Sequence, residues 1–134
     1  MHDKTCTIML VDDDKDDQLI FVSAVNDINK EIECDCVDNA LIGLEVLQKD
    51  KCKKPDYIFL DLNLPIMDGF QFLKEVKTSE ELNDIPVIIF STSSRDSDKQ
   101  KAKELGAVDF LSKPSSYSEL KESITLLLAN TATH

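Results

Sequence analysis

The chain reads as an α/β domain, a five-stranded parallel sheet doubly wound with helices on both faces. Three observations point there. Strand patterns recur five times along the 134 residues, four of them as short apolar runs. Each is followed by a segment that reads as a helix, several with apolar residues returning at three- and four-residue steps. Several runs are apolar at consecutive positions, as strands buried on both faces require. Strands alternating with helices in this way form βαβ units, so the sheet is parallel and the helices cover it.

Thr7 to Val11 is the first strand, and Asp14 to Ile28 the first helix. Asp14 suits the N-cap, and further acids in the first turn complement the helix dipole. Ile20, Ala24 and Ile28, with Phe21 and Val25, form its apolar face. Ile32 to Val37 alternates Ile32, Cys34 and Cys36 against Glu31, Glu33 and Asp35. One polar face marks an edge strand. Asn39 caps a helix running through Leu47 and carrying Leu41, Leu44 and Leu47. Asp56 to Asp61 is apolar on both faces and therefore central. Asp68 to Lys77 is the third helix, followed by a loop from Thr78 to Ile85 and a fourth strand from Val87 to Phe90. Arg95 to Leu105 is a helix stopped by Gly106. Val108 to Leu111 is the fifth strand, and Tyr117 to Ala129 the last helix, with Leu120, Ile124, Leu127 and Leu128 inward. The residues after it read as a frayed tail. The whole chain, 1–134, forms one domain with a core over about 7–128.

The strand ends carry the chemistry. The first apolar run meets Asp12-Asp13-Asp14, the third ends in Asp61, the fourth in Ser91-Thr92 and the fifth in Ser112-Lys113-Pro114. In open parallel sheets ligands bind beyond the carboxyl ends of the strands. An acid pair, a lone acid, a hydroxyl and an ammonium would therefore converge from distant parts of the chain. Crowded carboxylates repel each other unless a cation or hydrogen-bond donors compensate. The set suits metal-assisted phosphoryl transfer.

Bulk properties narrow the function. A net charge of -11 argues against nucleic acid or anionic membrane as a direct partner. No apolar run approaches the ~18 residues of a membrane span, and the polar start from Met1 to Thr7 does not read as a signal peptide. Cys6, Cys34, Cys36 and Cys52 lack the spacing of a zinc site, and His2 and His134 lie at the chain ends. All four read as reduced thiols of a cytoplasmic protein.

Four blocks in this order resemble the receiver domain of bacterial two-component response regulators. They are Val11-Asp12-Asp13, Leu60-Asp61-Leu62-Asn63-Leu64-Pro65-Ile66-Met67-Asp68-Gly69, Pro86 through Thr92, and Gly106-Ala107 through Lys113-Pro114. The resemblance covers Thr7 to about Leu128 and implies a flavodoxin-like fold with strand order 2-1-3-4-5. It implies Asp61 as phosphoacceptor, a role carboxylates fill in aspartyl-phosphate formation. It implies Asp13 as a direct Mg²⁺ ligand, Asp12 as a partner working largely through metal-bound water, and Asn63 as a source of a backbone carbonyl. Such an oxygen set suits Mg²⁺. Ser91 and Lys113 fall at the family's hydroxyl and lysine positions, where they would bind phosphoryl oxygens. Lys113-Pro114 matches a pair that is usually cis, which would aim the ammonium inward. Phe110 falls at the rotameric aromatic position, so Ser91 and Phe110 would be the switch residues.

Other residues have simpler readings. Asp14, Asp16 and Asp17 read as helix-start acids, and Asp68-Gly69 as the residues that shape a loop and begin a helix. Ser91 stands where Thr is commoner, and Thr92 where small residues are common, which bears on kinetics. The resemblance further implies a histidine kinase or histidine phosphotransfer protein upstream and a protein target downstream. Too few residues follow Leu128 for an output domain, so a stand-alone regulator is expected, with no enzymatic activity beyond its own phosphorylation and dephosphorylation. The acidic run and the Leu62-Asn63-Leu64-Pro65 segment are similar to single-domain regulators that serve phytochrome-type kinases. The segment from Arg95 to Lys101 has almost no apolar anchor, which makes that helix, the fifth strand and the last helix the expected readout face. Two other functions stay open. Asp12-Asp13-Asp14 contains the D-x-D of haloacid-dehalogenase-type phosphatases, and a docking module indifferent to phosphate would share the fold.

Overall fold

The computed structural model describes residues 6–49, 54–93 and 95–132, with side chains as far as Ala129. The strands are β1 (Thr7–Val11), β2 (Glu33–Val37), β3 (Tyr57–Leu60), β4 (Val87–Ser91) and β5 (Asp109–Ser112). They alternate with α1 (Lys15–Ile28), α2 (Ala40–Lys49), α3 (Gly69–Thr78), α4 (Asp96–Glu104) and α5 (Tyr117–Ala132). The sheet is parallel throughout and runs β2-β1-β3-β4-β5. β3 is central and β2 lies at an edge, as their burial patterns predict.

Alternate side chains of β1, β3 and β4 feed two cores. Met9, Val11, Ile58, Leu60, Val87 and Ile89 pack with Leu44, Phe72 and Leu73 beneath α2 and α3. Ile8, Leu10, Phe59, Ile88 and Phe90 pack with Phe21, Val25, Leu120 and Ile124 beneath α1 and α5. In the second core the Phe21 ring lies 5.0 Å from Phe59 and 5.4 Å from Phe90, centroid to centroid. Such tilted ring pairs add to the energy of area burial alone.

Some expectations shift. Ile20 and Leu41 point outward, 46% and 42% exposed. The buried stripe of α1 is Gln18, Phe21, Ala24 and Val25, so Ile20 lies off its edge. In α2 the inward positions are Ala40, Gly43, Leu44 and Leu47, which rotates Leu41 away from the sheet. The last helix continues to Ala132, past the expected end at Ala129. Cys6, Cys34 and Cys36 are free thiols against the α1–α5 core. Cys52, His2 and His134 lie outside the described residues. Among the described residues no helix is long and apolar enough to cross a membrane.

Candidate functional site

The register brings the polar strand ends together. Val11 lies beside Leu60, so the next residues, Asp12 and Asp61, are neighbours at the carboxyl edge. Asp61 N–H donates to the Val11 carbonyl at 3.0 Å, and Asp12 N–H to the Val37 carbonyl at 3.1 Å. Both acids are buried. Asp13 turns outward, yet a carboxylate oxygen from each of Asp12, Asp13 and Asp61 can be chosen so that all lie within 4.8 Å of one another.

The loop after β3 is held by its own polar atoms. Asn63 N–H donates to Asp61 Oδ1 at 3.2 Å, and Gly69 N–H to the Leu62 carbonyl at 3.0 Å. Asp68 caps α3 by accepting from Gln71 N–H at 2.9 Å. Gly69 permits the close approach. A Cβ there would lie 2.4 Å from the Asp61 carbonyl oxygen and 2.7 Å from Leu62 Cα. Ile66 takes a left-handed φ of 71°, a strained conformation for a β-branched residue.

Lys113 enters from the far side of the sheet. Its N–H donates to the Ser91 carbonyl at 2.8 Å, which fixes its backbone beside β4. Its ammonium then donates to Asp17 Oδ2 at 2.8 Å, Asp12 Oδ2 at 2.9 Å and Asp61 Oδ2 at 3.2 Å. The expected cis Lys113-Pro114 bond is corrected: the described residues contain no cis peptide bond. The ammonium reaches Asp12, Asp17 and Asp61 with this bond trans.

The charges respond to this packing. Burial raises the Asp12 pKa above its ordinary value, despite the opposing Lys113 hydrogen bond and the Asp14 N–H it accepts. Burial works against the Lys113 ammonium, but hydrogen bonds to Asp17 and Asp12 and the charges of Asp61 and Asp12 outweigh it and raise its pKa. The site holds an excess of carboxylate over ammonium, and its donors are all hard oxygens. That chemistry fits a divalent cation of the Mg²⁺ kind.

Ser91 is fully buried at the end of β4, and its Oγ accepts from Ser93 N–H at 3.3 Å. Ser93 Oγ donates to Asp98 Oδ2 at 2.6 Å, which ties this loop to α4. Thr92 is exposed. Phe110 is half-buried against the core under α4, with Lys99 Nζ 5.9 Å from its ring centroid.

Two contributors were not read from the sequence. Asp17 reaches Lys113 in addition to occupying the first turn of α1. Buried Gln18 donates through Nε2 to the Asp12 carbonyl at 2.6 Å and to Asp38 Oδ1 at 3.0 Å. No local signal marks Asp17, whose partner is 96 residues away. Gln18 had a signal: it is a polar residue on the buried stripe of a helix.

Comparison with known proteins agrees with this geometry. The family model described as "Response regulator receiver domain" matches residues 8–125. A protein-glutamate methylesterase/protein-glutamine glutaminase of Syntrophomonas wolfei is 39% identical over 103 residues, covering 75% of this chain and 28% of that protein. The KDP operon transcriptional regulatory protein KdpE of Escherichia coli is 41% identical over 76 residues, 57% of this chain and 32% of that one. The chain thus spans about a quarter to a third of the length of such curated relatives. Among solved structures, the phosphorylated cyanobacterial phytochrome response regulator RcpA aligns with a TM-score of 0.86 at 28% identity, covering 93% of this chain and 92% of its own. The Mn²⁺-bound form of response regulator Rcp1 aligns at 0.82 and 27%, covering 92% of each chain. Family match, strand order and converging polar ends agree, and the chain belongs to the response regulator receiver domain family.

Proposed function

We propose that this domain accepts a phosphoryl group on Asp61 from a phosphohistidine of a histidine kinase or phosphotransfer protein, with Mg²⁺ bound. The observation that carries the reading is the meeting of Asp12, Asp61 and Lys113. They come from three strand ends, and Lys113 lies 101 residues from Asp12 and 52 from Asp61. Buried carboxylates around one ammonium form an expensive arrangement unless charge is to be managed there.

In this reading a carboxylate oxygen of Asp61 forms the new O–P bond. The P–N bond to the donor imidazole breaks, its electron pair stays on the ring nitrogen, and that nitrogen takes up a proton. Asp13, Asp61 and the backbone carbonyl of Asn63 would hold the cation, with Asp12 as a further carboxylate acting largely through its hydration shell. When bound, Mg²⁺ supplies positive charge to the phosphoryl oxygens. Lys113 neutralises a further phosphoryl oxygen, and Ser91 Oγ donates a hydrogen bond to another. Once Ser91 turns to the phosphoryl group, its link through Ser93 to Asp98 changes, and Phe110 follows. Asp61, Ser91, Lys113 and Asp12 thus carry the chemistry, and Ser91 and Phe110 the switch.

The signal would pass by altered binding of a downstream protein or by onward transfer of the phosphoryl group. The likeness to the phytochrome response regulator RcpA supports a phytochrome-linked kinase as the kind of donor. Self-phosphorylation and self-dephosphorylation are the only reactions assigned, in a cytoplasmic setting without nucleic acid or membrane as partner.

Intact mass after incubation with a small phosphodonor, with and without Mg²⁺, tests the reading on the native chain and Asp61→Asn. One Mg²⁺-dependent phosphoryl adduct, absent in Asp61→Asn, is expected. An adduct that persists in Asp61→Asn would move the nucleophile to the Asp12–Asp14 cluster and favour the phosphatase chemistry.

A further inference from the structure

Lys113 has three ammonium hydrogens and three carboxylate partners. Asp17 is the nearest at 2.8 Å, ahead of Asp12 at 2.9 Å and Asp61 at 3.2 Å. The lysine side chain is only 11% exposed, which leaves water little room to replace a lost partner.

The three partners differ in one respect. Asp12 and Asp61 belong to the carboxylate cluster that could hold a cation, together with Asp13. Asp17 stands outside that cluster. A divalent charge beside Asp12 and Asp61 repels the ammonium and draws on the same oxygens. A lysine held by those two acids alone would be driven out of the site. Asp17 is the one partner whose charge remains free for it.

Asp17 is also well placed to resist that push. Its N–H donates to the Asp14 cap at 3.1 Å. The next residue, Gln18, ties the same helical turn to the Asp12 carbonyl and to Asp38. The helix dipole alone does not account for its orientation. Asp16 serves that purpose from an exposed position in the same turn, whereas Asp17 turns toward the site.

We propose that Asp17 is a positioning residue that keeps the Lys113 ammonium beside Asp61 when Asp12 and Asp61 are committed to a cation. The proposal rests on the function proposed above for its effect on phosphorylation. Its effect on Lys113 itself is independent of that function.

The test uses the native chain, Asp17→Asn, Asp17→Glu, Lys113→Ala and the Asp17→Asn/Lys113→Ala double variant, each checked for native thermal unfolding. Initial phosphorylation rates are measured with phosphoramidate over a range of concentrations at saturating Mg²⁺. Asp17→Asn should lower the maximal rate about fivefold, as expected for misplacing a charged group. The half-saturating donor concentration should change little, and Asp17→Glu should recover most of the rate. In the Lys113→Ala background Asp17→Asn should have no further effect, because its action runs through Lys113. Relaxation of the Lys113 Cε and Nζ resonances, recorded with Mg²⁺ alone, gives a second readout. The ammonium should stay ordered in the native chain and become mobile in Asp17→Asn. Equal rates, an undiminished effect in the Lys113→Ala background, or an ordered ammonium in Asp17→Asn with Mg²⁺ would each overturn the proposal. If the native chain takes up no phosphoryl group, the proposed function fails, and the relaxation measurement still decides the role of Asp17.

Discussion

Helices α1 and α4 each follow a strand that delivers a polar residue to the site, and they are held in opposite ways. α1 buries Gln18, Phe21, Ala24 and Val25, and its N-cap Asp14 accepts from two backbone N–H groups. α4 buries Ala102 alone, and Arg95 at its N-cap makes no side-chain capping bond. What holds the start of α4 is polar: Asp98 accepts from Ser93 Oγ and from Arg95 Nε at 3.3 Å. Apolar burial is insensitive to a charge change nearby, while a chain of hydrogen bonds beginning at Ser91 is directly exposed to one. The α1 side is thus a fixed support and α4 a loosely held helix, the element that the proposed function would use for its readout.

The aromatic cluster under α1 should give the largest loss of stability. Phe21→Ala should cost about 3–5 kcal/mol in denaturant unfolding. Ala102→Gly, which removes the one buried side chain of α4, should cost about 1 kcal/mol, mostly through helix propensity. Similar losses in both variants would mean that the two helices are equally anchored.

Gly69→Ala should come next. A Cβ 2.4 Å from the Asp61 carbonyl oxygen forces β3 and α3 apart, at about 1–3 kcal/mol. Because the displaced backbone carries Asp61, the variant should also lose phosphorylation while keeping its circular dichroism spectrum.

Asp12→Asn should act in the opposite direction. The folded pKa of Asp12 is raised, so the fold favours its protonated form, and its contribution to stability is lost as pH rises through that folded pKa. At neutral pH in the absence of metal, Asp12→Asn should therefore stabilise the chain by about 1 kcal/mol, a gain typical of neutralising a functional charge. The advantage should shrink as pH falls toward the ordinary carboxylate range. A variant less stable than the native chain at pH 7 without metal would contradict the sign.

The smallest contrast is at the two helix starts. Asp14→Ala should cost about 1 kcal/mol, as the loss of an N-cap does. Arg95→Ala, at an exposed position without a capping bond, should stay within about 0.5 kcal/mol. Thermal unfolding of the pair resolves that difference.

Much of this architecture was legible in the sequence because it depends on local pattern. Apolar runs ending in Asp12, Asp61, Ser91 and Lys113 mark the strands and their shared edge, and Asp14, Asp68 and Gly106 mark helix ends by ordinary capping chemistry. What escaped depends on distance or on close packing. The Asp17–Lys113 pair joins residues 96 apart, and the reading of Asp17 as a first-turn acid was true but incomplete. The tight approach of Gly69 to Asp61 appears only once α3 is docked. Ile20 and Leu41 satisfied the helical period, yet period alone does not choose which of two adjacent apolar stripes meets the sheet. The Lys113-Pro114 bond is trans, against the family habit, and no local residue pattern marks the difference.

A charge arriving at Asp61 is expected to move α4 and leave α1 in place. Hydrogen exchange of the Mg²⁺-loaded chain, with and without a phosphoryl mimic on Asp61, measures this most directly. Protection should change across 93–112, covering the Ser93 loop, α4 and β5, with α1 unchanged from Phe21 to Ile28. Identical profiles in the two states, or changes concentrated in α1, would contradict it.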